Sequence, residues 1–407
     1  MKNFSLYGLP ENVIFCKLCV ISNQRPSSTV EFKSSGGESK SGISINDNGI
    51  CDACSYNKKK SEINWKEREK QLLKFLEKYR KNNGDYDCIV PSSGGKDSSF
   101  TAHILKKKYN MNPLAVTWAP NMWTEEGFEN FNNLSRVGGV DSILITPNGR
   151  LHSYLTKISF LNFGHPFQPF IHGQKIIGPK MAKKLNIPLV IYGENQAEYG
   201  NKLEDNLSHY MNNQFFSVED DFNFKDIKFG GKSIQSIIEE KKFNFKNFST
   251  YLPLQKKEVS DSKIQMIFLG YFEKWDPQEC FYYASENTGF RPAKERSDGT
   301  YSKYTEIDDK IVPIHFYTTF IKFGIGRASY DAAQEIRNHK ITRDEGINLV
   351  KKFDGEFPKT YFKDFLDYIE ISEEQFIKKI DELRSPHLWE KIKNEWVLKE
   401  SIYKKNF

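Results

Sequence analysis

Residues Asp87-Cys-Ile-Val-Pro-Ser-Ser-Gly-Gly-Lys-Asp-Ser98 constrain the fold more than any other stretch. A short buried strand runs into a hydroxyl- and glycine-rich turn, and a helix is expected from Ser98 to about Lys108. Gly94 and Gly95 let the backbone take conformations that side chains forbid, so consecutive N–H groups can point into one concavity. The helix adds its unpaired first-turn donors and the positive end of its dipole. Such a turn suits a phosphate or pyrophosphate. Ser93 and Ser98 offer further hydrogen bonds, Lys96 brings charge, and Asp97 suits a magnesium ion or a helix cap. The spacing departs from Gly-x-x-x-x-Gly-Lys-Ser/Thr, so this is no Walker loop. A plain glycine turn before an ordinary helix is the bland alternative, and the framing serines argue against it.

Ser93-Gly-Gly-Lys-Asp-Ser98 resembles the signature of the PP-loop ATP pyrophosphatases. The resemblance implies cleavage of ATP between its α and β phosphates, adenylation of a substrate oxygen and release of pyrophosphate. From Tyr86 to about Glu198, strand-like and helix-like runs alternate. Leu114–Trp118, Ser142–Thr146 and Leu189–Tyr192 read as strands, Thr124–Gly138 and Gln174–Asn186 as helices. This pattern predicts an α/β fold with a doubly wound parallel sheet, whose ligands gather at the carboxyl ends of the strands. That rim would carry the Ser93 turn, Trp118 and Gly193-Glu-Asn195. Trp118 is a candidate for the adenine pocket or for plain packing. Lys175, opening the helix before the fourth strand, is a candidate phosphate contact or a solvated surface lysine. Glu194, Asn195 and Glu198 are suited to a metal or a polyol, with a polar helix cap as the alternative.

Four of the six cysteines lie near the start. Cys16-Lys-Leu-Cys19 and Cys51-Asp-Ala-Cys54 are two C-x2-C knuckles separated by 31 residues, each holding two thiolates on a tight turn. Together they can close a tetrahedral site, and four thiolates suit zinc or iron alike. We expect structural zinc, which would fold a segment too small for its own core. Met1–Pro10 lacks a basic region followed by an apolar core, so no signal peptide, no disulfides and a cytoplasmic protein are expected. Cys88 and Cys280 read as packing residues.

At 407 residues the chain can bury a large core. No apolar run approaches the roughly 20 residues that span a bilayer. A net charge of +6 is mild over this length and gives no strong nucleic-acid footprint. We divide the chain into a zinc-knuckle segment (1–62), a nucleotide-binding α/β domain (63–200), an insertion or lid (201–262), the rest of the α/β domain with a substrate-binding segment (263–328), and a helical C-terminal region (329–407). Within the fourth, Asp276-Pro277 marks the start of a helix over Trp275–Thr288. Arg291 to Arg327 is dense in polar residues, and Lys322 and Arg327, set among small and apolar neighbours, are candidate substrate or phosphate contacts. His315, between Ile and Phe, reads as a core or orienting histidine.

The ordered set Cys16-x-x-Cys19, Asn48-Gly-Ile-Cys51-x-x-Cys54, Trp65-Lys-x-Arg68-Glu, Ser93–Ser98 and Gly193-Glu-Asn195 resembles the N-acetyl sugar amidotransferases. Gly299-Thr-Tyr-x-Lys-Tyr304, Asp308-Asp-Lys310, Lys322-Phe-Gly-Ile-Gly-Arg327 and Glu335-Ile-Arg337 extend the resemblance over nearly the whole chain. It implies conversion of an acetamido group on a bacterial sugar to an acetamidino group, with ATP and Mg2+. The sugar would be nucleotide-linked or a nonulosonic acid, bound for lipopolysaccharide O-antigen or flagellin. Neither a Gly-x-Cys-x-Gly elbow nor a cysteine at position 2 is present, so ammonia is expected from a separate glutaminase working with a barrel-type synthase subunit. Two rivals use the same loop: a PP-loop enzyme thiolating or amidating tRNA, and a non-enzymatic zinc scaffold binding nucleotide as a regulator.

Overall fold

The computed structural model describes residues 4–34, 40–195, 203–240 and 243–404, so Glu198 lies outside the described residues. Five parallel strands form the central sheet: β1 (Cys88–Pro91), β2 (Pro113–Trp118), β3 (Asp141–Ile145), β4 (Leu189–Tyr192) and β5 (Gln265–Phe268). Their order is β3-β2-β1-β4-β5, so the chain leaves the central strand in one direction and then in the other. The point of reversal lies beside β1, where a crevice forms at the carboxyl ends of the strands.

Alternation along the strands builds two cores. Cys88, Val90, Leu189 and Ile191 face one side with Leu72, Ile104 and Leu105. Ile89, Val190, Leu114 and Val116 face the other with Leu151, Leu155 and Ile177. The first layer is carried by helices α2 (Trp65–Leu76) and α3 (Lys96–Lys107), which follow α1 (Asp52–Glu62); α4 (Glu125–Arg136) comes next in the chain. The second layer is carried by α5 (Gly149–Phe163) and α6 (Gln168–Leu185).

Three features differ from the sequence expectation. Helix α5 has apolar residues around much of its surface, so it shows no clean amphipathic stripe to read. Helix α6 begins six residues before Gln174, because Pro169 sits in its first turn, where a missing N–H costs nothing. Lys175 therefore lies inside that helix rather than at its opening. Helix α3 starts at Lys96 instead of Ser98, with Gly95 as its N-cap.

Short helices α7 (Ile234–Glu239) and α8 (Lys256–Asp261) belong to the Phe-rich stretch between β4 and β5. Its Phe216, Phe229, Phe248 and Tyr251 are fully buried against the second layer, and Tyr251 stands edge-on to Trp118 at 5.2 Å. Helix α9 (Pro277–Asn287) has the expected cap: Asp276 Oδ1 accepts from the Gln278 and Glu279 amides.

The C-terminal region holds α10 (Val312–Phe323), α11 (Arg327–Arg337), α12 (Arg343–Phe353), α13 (Phe362–Ile369) and α14 (Glu373–Glu382). It does not stay helical to its end: Trp389–Ile392 and Glu395–Leu398 pair as a hairpin. Lys393 and Asn394 supply its two-residue turn with positive φ angles of 49° and 70°, a conformation usually marked by glycine. Among the described residues no helix is long and apolar enough to cross a membrane.

Candidate active site

The loop after β1 folds around its own hydroxyls. Ser92 Oγ accepts from the Gly94 amide at 3.1 Å and donates to Ser98 Oγ at 2.9 Å, and Ser98 Oγ donates to the Gly95 carbonyl at 3.1 Å. Gly94 has φ +83°, and a Cβ there would lie 2.5 Å from both the Cα and the backbone nitrogen of Phe131 in α4. Only glycine fits that close approach. The turn thus presses against α4 while the first-turn amides of α3, which have no intrahelical partner, end at the crevice.

Lys96 is 5% exposed, and its Nζ lies 2.5 Å from Asp97 Oδ2. Burial opposes its charge, but the contact with Asp97 outweighs burial and holds the lysine above its ordinary pKa. Asp97 Oδ1 accepts from the Trp275 indole at 3.1 Å, so both oxygens of this carboxylate are engaged. The Lys96 ammonium also stands 6.0 Å from the centre of the Tyr304 ring.

Gly193 brings the end of β4 onto the same helix. A Cβ there would meet Thr101 Oγ1 at 2.1 Å and the Asp97 carbonyl at 3.0 Å, which excludes a larger residue. Glu194 follows it, and burial, then the charge of Asp97, push its carboxyl up, while Lys175 pulls the other way. Burial lowers Lys175, opposed by Glu194 and Glu31. Lys175 Nζ stands 5.2 Å from the Tyr192 ring centre. A buried carboxylate raised by a second carboxylate beside it belongs to the kind of set that a divalent cation settles, and magnesium completes its shell with phosphate oxygens and water.

The opposite wall comes from beyond residue 300. Asp308 is pushed up by burial and steadied by a hydrogen bond with Ser93 and by the charge of Arg327. Arg327, 1% exposed, donates from Nη2 to the Thr305 carbonyl. Its Nη1 lies 3.6 Å from Glu306 and its Nε 3.8 Å from Asp331, and neither nitrogen has a hydrogen-bond partner.

Four of the five residues named for catalysis therefore lie near the loop or its rim: Lys96, Asp97, Lys175 and Arg327. The described contacts of Lys322 are elsewhere. It is buried, donates to the Phe163 carbonyl at 2.9 Å and faces the Tyr7 and Phe323 rings. Burial, then the charge of Lys40, lower its pKa to about 7. Trp118, 3% exposed, covers Gly173 with its indole and packs on Tyr251. Asn195, also 3% exposed, donates to the Tyr56 hydroxyl and the Gly270 carbonyl, a bracing role between β4 and the chain after β5. Arg296 is held by Glu356 and Lys310 by Asp364, so these cations of the polar stretch serve tertiary ion pairs. Trp275 had no sequence signal as a partner of Asp97; Tyr304, Asp308 and Glu335 stood within the motif blocks but carried no assigned role.

The knuckles meet as expected. Cys16, Cys19, Cys51 and Cys54 are all buried, and their sulfur atoms lie within 4.8 Å of one another. Cys16 and Cys54 are 3.9 Å apart and Cys19 and Cys51 3.8 Å. Zinc–sulfur bonds of about 2.3 Å at tetrahedral angles put sulfurs about 3.8 Å apart, so the set fits a four-coordinate ion. The Leu18 and Cys51 amides each donate to Cys16 Sγ at 3.4 Å, and Arg343 braces the Cys16 and Cys19 carbonyls at 3.3 Å.

Comparison with known proteins gives a match at the C-terminal side. Residues 298–403 match the family model described as LPS biosynthesis protein WbpG-like, C-terminal domain. Over 82 residues the chain is 33% identical to an uncharacterized protein of Methanocaldococcus jannaschii, covering 20% of this chain and 30% of that one. Among solved structures, the NH3-dependent NAD synthetase of Campylobacter jejuni is 18% identical over 33% of this chain and 59% of its own, with a TM-score of 0.26. The NMN synthetase of Francisella tularensis is 13% identical over 49% and 93%, with a TM-score of 0.25. The matched C-terminal residues include Tyr304, Asp308, Arg327 and Glu335, on the wall that faces the loop. The C-terminal residues 298–403 are thus similar to the C-terminal domain of WbpG-like lipopolysaccharide-biosynthesis proteins, and they stand opposite the loop.

Proposed function

We propose that the protein is an ATP-dependent amidotransferase that converts the acetamido group of a bacterial sugar to an acetamidino group for surface-glycan synthesis. The observation that carries this reading is the meeting of the Ser92–Ser98 turn with Tyr304, Asp308 and Arg327 of the matched C-terminal block. Backbone amides of the turn and α3, with Lys96 and Lys175, receive the pyrophosphate, and Asp97 with Glu194 suits its magnesium. Zinc on the four cysteines holds the N-terminal segment folded.

In the reaction the amide oxygen attacks the α-phosphorus, the bond to the β-phosphate oxygen breaks, and pyrophosphate leaves into the loop. Ammonia then adds to the activated carbon. The carbon–oxygen bond breaks, AMP departs with the electron pair, and one ammonia proton passes to water or a nearby carboxylate. The product is an amidinium. Preorganised donors at the leaving pyrophosphate lower the barrier because their dipoles need no rearrangement as charge develops.

Residues 63–200 and 263–328 form the reacting domain in this reading, with 1–62, 201–262 and 329–407 supporting it. Ammonia comes from a separate glutaminase, with a barrel-type synthase subunit, in the cytoplasm. The test is pyrophosphate release from ATP with ammonium chloride and a panel of acetamido sugars, including nucleotide-linked sugars and nonulosonic acids. Mass spectrometry should show oxygen exchanged for NH on one of them. Silence across the panel, with release stimulated by tRNA instead, would replace this reading with tRNA modification.

A further inference from the structure

Helix α11 is capped by a residue from beyond its own end. Helix α10 stops at Gly324, which is left-handed, and α11 begins three residues later with Gly326 as an N-cap that has no side chain to offer. The cap comes instead from Asp354, 28 positions further on, at the break between α12 and α13. Its Oδ2 accepts from the Gly326 amide at 2.9 Å and the Ser329 hydroxyl at 2.5 Å, and its Oδ1 accepts from the Ser329 amide at 3.1 Å. A Cβ on residue 326 would lie 2.8 Å from Asp354 Oδ1, so the missing side chain is what admits the carboxylate. Asp354 is itself fixed: its amide donates to the Val350 carbonyl at the end of α12, and the adjoining Gly355 packs on the Phe320 ring of α10. One carboxylate thus ties the start of α11 to its two neighbours, and its charge suits the positive end of that helix.

Arg327 is the first residue of the helix so capped. Its buried guanidinium lies 4.6 Å from the Phe316 ring centre and donates from Nη2 to the Thr305 carbonyl, while Nε and Nη1 have no hydrogen-bond partner. Glu306 stands 3.6 Å from Nη1 and Asp331 3.8 Å from Nε, both beyond hydrogen-bond reach. The Glu306 side chain is about half exposed, so it is free to turn outward and uncover the donor. The charge of Arg327 acts on Asp308, which is hydrogen-bonded to Ser93 of the loop, and on Glu306, which also feels Lys96. The guanidinium therefore belongs to the crevice in which the loop ends. A buried donor left without a partner costs free energy unless a ligand takes it.

We propose that Asp354 is a positioning residue of the nucleotide site: by capping α11 from a distance, it sets Arg327 so that Nε and Nη1 take a phosphate oxygen of ATP bound at the loop. The inference rests on the ATP-binding part of the reading above and not on the acceptor sugar. An arginine fork holds a phosphate through two parallel bonds, which demands a fixed guanidinium plane. Arg327 has that plane from three sides: the Thr305 carbonyl at one nitrogen, the Phe316 ring against its face, and the capped helix start that carries its backbone. Asp354 acts through the last of these. Without the carboxylate the first turn of α11 loses the acceptor of three hydrogen bonds, and the arginine loses its fixed origin.

The test measures the Kd of ATP with Mg2+ by titration calorimetry on the full chain, alongside the melting temperature, for wild type, D354N, R327M and the double variant. R327M should weaken ATP about tenfold or more, through loss of hydrogen bonds from a charged group. D354N removes the charge of the cap and should weaken ATP about fivefold or more while lowering the melting temperature. In the R327M background D354N should still lower the melting temperature but leave the ATP Kd within about twofold, because its effect runs through the arginine already removed. G326A, whose Cβ presses on Asp354 Oδ1, displaces the same carboxylate by another route and should show the same dependence on Arg327. An equal loss of affinity with and without Arg327 makes Asp354 a structural residue and overturns the proposal. So does an ATP affinity indifferent to R327M, or to D354N and G326A alike. A wild-type chain that binds no ATP overturns the loop reading and this inference together. The expected pattern of ATP binding, with no acetamido sugar turned over, sinks the amidotransferase reading alone and leaves Asp354 in its role.

Discussion

Two adjacent glycines, indistinguishable by composition, should respond oppositely to the same substitution. Gly94 has φ +83°, and an alanine Cβ would lie 2.5 Å from two backbone atoms of Phe131 and 2.7 Å from the Asn130 carbonyl carbon. The left-handed conformation costs an L-residue about 1–2 kcal/mol. The helix backbone cannot swing aside as a side chain would, and overpacking of this kind costs about 1–3 kcal/mol. Gly94→Ala should therefore lose about 2–5 kcal/mol of stability, the combined range of those two costs. Gly95 has φ −65°, and its added Cβ would meet nothing nearer than Ser93 Oγ at 3.7 Å. Alanine is a poorer N-cap than glycine by about 1 kcal/mol. It also restricts the unfolded chain, which returns about 0.4–1 kcal/mol. Gly95→Ala should thus stay within about 0.5 kcal/mol of wild type. Urea unfolding followed by tryptophan fluorescence, with equal m-values, measures both. Equal destabilisation of the two variants, or a Gly94→Ala protein as stable as wild type, would refute the close packing of the loop on α4.

Lys96→Met should cut pyrophosphate release by about 100-fold or more, because a fixed charge at the developing anion is lost; activity within tenfold of wild type would contradict that role. Metal analysis should find one zinc per chain, and a strong chelator or Cys16→Ser should remove about 3 kcal/mol or more of stability. An unchanged melting curve after chelation would count against a structural ion, and visible charge-transfer absorption would indicate iron. Lys322, with its pKa lowered to about 7, has a folded-state value below the unfolded value of about 10.4. The unfolded chain then binds more protons between those values, so stability rises with pH from about 7 to 10, by at most about 4 kcal/mol. Lys322→Met should flatten this rise, and urea titrations at pH 7 and 9.5 with an identical increment in both proteins would exclude it.

The parts that were legible in the sequence are those whose chemistry demands neighbouring residues. A phosphate turn needs glycines, hydroxyls and a lysine within a few positions, so Ser92–Ser98 announced both its strand and its helix. Each knuckle needs two thiols on one tight turn, and the four cysteines came together as that pattern requires. The Asp276-Pro277 cap belongs to the same class, since a helix start is written in two or three residues.

Other elements depended on partners distant in the chain. The α5 helix has an apolar surface that gives no period until α6 and the Phe-rich stretch cover it. The cations from Arg291 to Lys322 resemble an anion site in composition, yet Glu129, Glu356, Asp364 and the backbone carbonyl of Phe163 claim several of them. Which carboxylate reaches which lysine is set by how α10 to α13 pack, information that sequence spacing does not carry. Trp275 finds Asp97 across 178 positions, and Tyr304 finds Lys96 across more than 200. Local chemistry was therefore determined by the sequence alone: the turn, the knuckles and the alternation of strands and helices. The wall opposite the turn, and the distant carboxylate that caps its helix, were decided by tertiary packing, because charges and rings acquire partners only when the chain brings distant segments within a few ångströms.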